Sequence, residues 1–304
     1  MFRSLFLLLF FFCSIFADTF PTAFGECTLE IYSGKVDDIP ELVQLIQSET
    51  KNLTREFGNV PLRPFSVYIT SNIKDFNEKS KGPVPEWGIA VAKQRPDRII
   101  MKAPGIANIS FTRMKEVVIH ELNHIYIFRI PNYDTMPSWF KEGMAMRSSN
   151  EFSLLHKIEI SRFIWKKQTI PLPRLKNIGK YSRNKVKLAY GESAAAIEAL
   201  EFYYGEDILI NIIGNLRDNQ NFEDALDTAT GETFADFQVK FELYLEANFN
   251  WIFLLQASNY IYVILPLILV LGFIYHRYRN KNILAKWEME EKLDNIEWNK
   301  EFPN

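Results

Sequence analysis

The sequence predicts an α+β protein: a small mixed sheet, then a helical half, then one transmembrane helix. Three observations predict it. Short runs with strand-like alternation cluster between residues 29 and 101. Apolar residues recur at helical spacing from about 110 to 248. The 25 residues from Trp251 to Tyr275 carry no formal charge.

Leu29–Tyr32 and Phe65–Thr70 read as strands, as do Trp87–Ala92 and Arg98–Met101, the last two split by the turn-prone Gln94-Arg-Pro-Asp97. Asp38–Asn52 carries Ile39, Leu42, Val43, Leu45 and Ile46 on one helical face. Ser110 is placed to cap a helix reaching Arg129 and stopped before Pro131. A shorter helix starts at Ser138, and others are expected over 185–204, 207–216, 221–228 and 233–248. The basic, aromatic stretch 150–184 follows neither period. Its cations steer acidic peptides, rest against anionic headgroups or form a solvated face.

The 304 residues are 47% hydrophobic, enough for one moderately large domain over 28–248. A net charge of −2 gives no basic excess to track a phosphate backbone, so no nucleic-acid partner is expected. Residues 1–17 place Arg3 before an apolar run, Leu5–Phe16, closed by Ala17, the pattern of a cleaved signal peptide. Cys13 would leave with it, and Cys27 alone would remain, so no internal disulfide is expected. Residues 251–275 are long enough to cross about 30 Å of hydrocarbon, with Trp251, Tyr260, Tyr262 and Tyr275 at interfacial positions. His276, Arg277, Arg279 and Lys281 follow at once and mark the cytoplasmic side, making 276–304 a cytoplasmic tail. These signals place the chain as a single-pass protein of a bacterial inner membrane, its domain facing the periplasm or exterior, with the lipid bilayer as a partner.

The chemistry concentrates in His120-Glu121-Leu122-Asn123-His124. On a helix, residues four apart lie one above the other, so both imidazoles can bind one metal while Glu121 stands beside it to polarise a water. Val117-Val-Ile before and Ile125-Tyr-Ile-Phe after make this an internal helix, where ionisable side chains need a reason. A zinc site needs a third protein ligand. Glu142, in the first turns of the helix from Ser138, is the main candidate, with Asp134 and Glu151 as rivals. Pro131-Asn-Tyr-Asp134 supplies the reversal between the two helices, and Gly143 would let their two backbones approach closely.

His-Glu-Leu-Asn-His followed by Trp139-Phe-Lys-Glu142-Gly143 resembles the gluzincin branch of zinc peptidases, and within it the compact bacterial peptidase MA-like family. The likeness extends over about 28–248, taking in Trp87-Gly-Ile-Ala90 and Tyr190-Gly-Glu-Ser193. It implies a zincin-like fold and peptide or protein substrates. It implies Zn2+ held by His120, His124 and Glu142, with Glu121 as general base. Tyr190 is a candidate oxyanion donor by the same resemblance. Anchored beside a membrane, such a domain would act on substrates near it. The competing expectation is a non-catalytic zincin-fold binding or scaffold module of the cell envelope. The sequence leaves open endopeptidase against aminopeptidase action, and the oligomeric state.

Overall fold

A computed structural model describes residues 16–32, 36, 38–81, 84, 88–252 and 258–301. The chain divides between Trp251 and Ile252 into two units.

The first unit opens with a hairpin of β1 (Phe16–Thr22) and β2 (Gly25–Ile31). Gly25 has φ +115°, and a Cβ there would lie 2.6 Å from the Arg63 carbonyl oxygen, so the turn requires glycine. Helix α1 (Ile39–Phe57) is capped by the Asp38 side chain, which accepts from the Glu41 N–H at 2.9 Å. It outruns the expected end at Asn52 because Leu53 and Phe57 extend its buried face. Strand β3 (Phe65–Thr70), helix α2 (Ile73–Ser80), strands β4 (Ala90–Lys93) and β5 (Arg98–Lys102) and the single turn α3 (Pro104–Ala107) follow.

The strand order is β1-β2-β3-β5-β4. β2, β3 and β5 run parallel, and an antiparallel partner closes each side, which makes the sheet mixed. β3 is central and buried on both faces. Below it, Tyr68 and Ile100 pack on Phe76 of α2. Among the described residues β4 pairs only with β5 and so forms an edge of the sheet.

Helix α4 (Phe111–Ile127) is capped by Ser110 as expected, and α5 (Ser138–Ser148) begins after Pro137. Helix α6 (Leu154–Trp165) and two short 3₁₀ turns lie in the stretch without a clear period. Then come α7 (Arg183–Tyr204), α8 (Ile208–Arg217), α9 (Phe222–Thr230) and α10 (Phe234–Phe249). Trp139 anchors α5 in this half, fully buried among Phe140, Phe222, Phe234 and Phe237.

A buried ion pair ties the sheet to the end of α4. The Arg129 Nε donates to Asp97 at 2.8 Å, and its other nitrogens reach the carbonyls of Phe24, Pro61 and Arg63. The guanidinium also lies over the rings of Phe24 and Phe65. Three loop carbonyls and one carboxylate thus share one cation.

The second unit contains α11 (Ser258–Glu301), one 44-residue helix. The α+β architecture agrees with the expectation, but the transmembrane part is corrected: among the described residues, no helix is long and apolar enough to cross a membrane. Helix α11 runs unbroken into turns bearing Arg277, Arg279, Lys281, Lys286 and Glu288. The start of the expected 251–275 span, residues 253–257, lies outside the described residues. With the span go the membrane anchoring of the activity, the bilayer as partner, and the single-pass topology with a cytoplasmic tail at 276–304. Residues 1–15 of the expected signal peptide also lie outside the described residues, while Phe16 and Ala17 open β1.

Candidate metal centre

α4 supplies three site residues from one surface. His120 and His124 stand one turn apart, with ring centroids 4.9 Å apart and planes at 75°. Glu121 lies between them in sequence and is 7% exposed, beneath β4, whose Ala92 backbone hydrogen-bonds its carboxylate. α5 crosses α4 and brings Glu142 to the imidazoles. Its Oε2 lies 3.3 Å from His120 Nε2 and 3.4 Å from His124 Nε2. That oxygen is buried and has no hydrogen-bond partner. One ligand atom from each of His120, His124 and Glu142 lies within 4.8 Å of the others, so the three form a cluster that can hold a metal ion.

The rival ligands separate clearly. Asp134 sits in a 3₁₀ turn and does not line the cleft. Glu151 binds the far side of His120, with its Oε2 2.7 Å from Nδ1 and its Oε1 2.5 Å from Arg113. A carboxylate on Nδ1 fixes ring orientation and leaves Nε2 facing Glu142, the arrangement that ligating histidines commonly show. Sequence reading had no signal for this pair, because 31 residues and a whole helix separate its members.

The electrostatics favour a cation. Burial opposes a charged His120, but the carboxylates of Glu142 and Glu151 on its two sides outweigh it and push the imidazole up to about 10. Burial likewise opposes a charged Glu142, yet the two imidazoles hold it far below the usual carboxylate range. Burial raises Glu121 above its ordinary value. Three carboxylates converge on two imidazoles, with Arg113 engaged by Glu151 and Glu116. An orphaned carboxylate oxygen between two ring nitrogens fits a divalent ion with N and O ligands.

The cluster lines an open cleft of about 580 Å³ bounded by residues 88–93, α4, α5 and the start of α7. Tyr190 of α7 lines it, and its phenol is held protonated by the charge of Glu142 and then by burial. His156 of α6 also reaches the cleft.

Gly143 does permit a close approach, but the neighbour is α7. A Cβ there would lie 2.4 Å from the Ser193 carbonyl oxygen and 2.6 Å from Ile197. The Gly143→Ala variant should lose about 1–3 kcal/mol of stability through overpacking. An unchanged urea midpoint would contradict this contact.

A mixed sheet under crossed helices, with a His/His/Glu cluster on those helices, defines a metallopeptidase-like class. Residues 46–247 match the Peptidase MA superfamily, and the chain belongs to that superfamily. Similar solved structures include an M1 zinc metallopeptidase from Deinococcus radiodurans, 15% identical, with a TM-score of 0.45 over 76% of this chain and 52% of that one. A two-domain M1 zinc metallopeptidase mutant bound to L-arginine is also 15% identical, with a TM-score of 0.48 over 76% and 51%. A Deinococcus radiodurans mutant bound to a Tyr-Ser-Ala substrate is 14% identical, with a TM-score of 0.44 over 76% and 52%. This chain spans about half the length of these proteins. No curated protein matches it in sequence.

Proposed function

We propose that the chain is a zinc metallopeptidase of the gluzincin type, with His120, His124 and Glu142 as ligands and Glu121 as general base. The observation that carries this reading is the unpartnered Glu142 Oε2 facing both Nε2 atoms, with Glu121 buried beside them in one cleft.

Zinc, when bound, would supply Lewis acidity toward the scissile carbonyl and its attacking water. The chain's own groups do the rest. Glu121 takes a proton as the water oxygen bonds to the carbonyl carbon. It returns that proton to the departing amine as the C–N bond breaks. Its buried position keeps its pKa above that of a free carboxylate, which suits a group that must both accept and release a proton. Tyr190, held protonated, donates toward the oxygen that gains negative charge. Edge strand β4 offers an unpaired strand edge against which an extended peptide can lie.

Glu151 positions rather than reacts. The Glu151→Gln variant should bind zinc about 10–100-fold more weakly, because the His120 ring loses its charged anchor. Competition with a fluorescent chelator reads this directly, and an unchanged affinity would remove Glu151 from the site.

The reading as a whole is tested with end-blocked, internally quenched peptides. Cleavage that is abolished by a chelator and restored by added zinc supports it. A folded, zinc-loaded chain that leaves a broad peptide library intact would refute it.

A further inference from the structure

The charges around the cleft say what kind of peptide it takes. Its lining holds three carboxylates, Glu121, Glu142 and Glu151, and four basic side chains, Lys93, Arg113, Lys141 and Lys187. Every carboxylate is committed. Glu142 faces the two imidazoles, Glu151 is held by His120 and Arg113, and Glu121 is buried under Ala92. Arg113 is paired with Glu116 and Glu151.

The three lysines differ. Among the described residues none of them forms an ion pair, although they come from β4, α5 and α7. A cation at the end of an edge strand and another near the start of α7 face the same space from separate elements. A divalent ion on the ligands would add to this positive balance. Cleft walls of one sign concentrate ligands of the other. Conversely, no uncommitted carboxylate among the described lining residues could hold a free α-ammonium group.

We infer that the cleft selects peptides by a carboxylate near the scissile bond, held by Lys93, Lys141 and Lys187, and not by a free amino terminus. This inference rests on the peptidase reading and names its substrate class. The carboxylate comes either from an acidic side chain or from the peptide's own C-terminus.

Binding is measured by fluorescence anisotropy on the full-length Glu121→Gln protein, loaded with zinc. The probes are acetylated hexapeptides with one neutral fluorophore, carrying Glu, Gln or Lys at the two central positions. Each is prepared as the C-terminal amide and as the free acid. The Glu peptide should bind about five- to ten-fold tighter than the Gln peptide at low salt, with the Lys peptide weakest. Raising the salt should shrink the difference. A preference seen only with free-acid peptides assigns the contact to the C-terminal carboxylate; one that persists in amides assigns it to side chains. In the Lys93→Gln/Lys187→Gln double variant the preference should fall to about two-fold or less.

Equal binding of the Glu, Gln and Lys peptides in both end forms would overturn the inference, as would a preference untouched by the double variant. Cleavage of the same peptides by the parent separates the two readings. Cleavage without charge preference sinks this inference alone. A retained binding preference with no cleavage counts against the peptidase reading and leaves the lysine recognition standing.

Discussion

Replacing Glu121 by Gln should lower the proposed peptide-hydrolysis rate by about a thousand-fold while zinc content stays at the parent level. The magnitude follows from the loss of a positioned general base, typically about 10²- to 10⁴-fold. Gln preserves the volume and the acceptor for the Ala92 backbone but cannot take a proton from water near neutral pH. Zinc should be retained because Glu121 is not among the convergent ligand atoms, which come from His120, His124 and Glu142. An unchanged rate would show that another group accepts the proton. A zinc-poor variant would instead make Glu121 a ligand.

The largest effect on stability is expected at Arg129. Arg129→Met keeps much of the side-chain volume but strips Asp97 of its cation and takes the guanidinium from the carbonyls of Phe24, Pro61 and Arg63, of which that of Phe24 keeps the Arg63 N–H. The Arg129 side chain is 0% exposed and that of Asp97 6%, so water cannot readily substitute. Breaking a buried pair by removing one partner costs about 3–5 kcal/mol. The urea midpoint should fall accordingly, with the slope unchanged. Adding Asp97→Asn should recover part of the loss, since the uncompensated charge is then gone. A single-variant cost below about 1 kcal/mol would mean that the pair is exposed in solution.

Much of the site was legible because its information is local. His120, Glu121 and His124 lie within a helix whose cap, Ser110, and apolar positions mark it out. Glu142 follows in the next helix, whose start is fixed by Pro137. The helices expected over 221–228 and 233–248 are α9 and α10, which the structure shows capped by Asn221 and Thr233. What was not legible depends on distant partners. Glu151 looked like a rival ligand because only the fold shows it behind His120. Gly143 was expected to let α5 approach α4, but the backbone it meets is Ser193, on a helix 50 residues further on. β1 was hidden because Phe16 and Ala17 completed an export-signal pattern, and α6 because its buried positions are few and irregular. The transmembrane reading took an uncharged run as a complete span. The structure instead places its described part in one helix continuous with a charged half.

The account turns on whether His120, His124 and Glu142 hold a metal. The most direct test is zinc per chain by atomic emission on the full-length protein, purified without chelator, beside His124→Ala and Glu142→Ala. The account predicts close to one zinc per parent chain and little in either variant, with all three folded by circular dichroism. A folded parent that takes up no zinc even when it is supplied, or variants that bind as much as the parent, would contradict it.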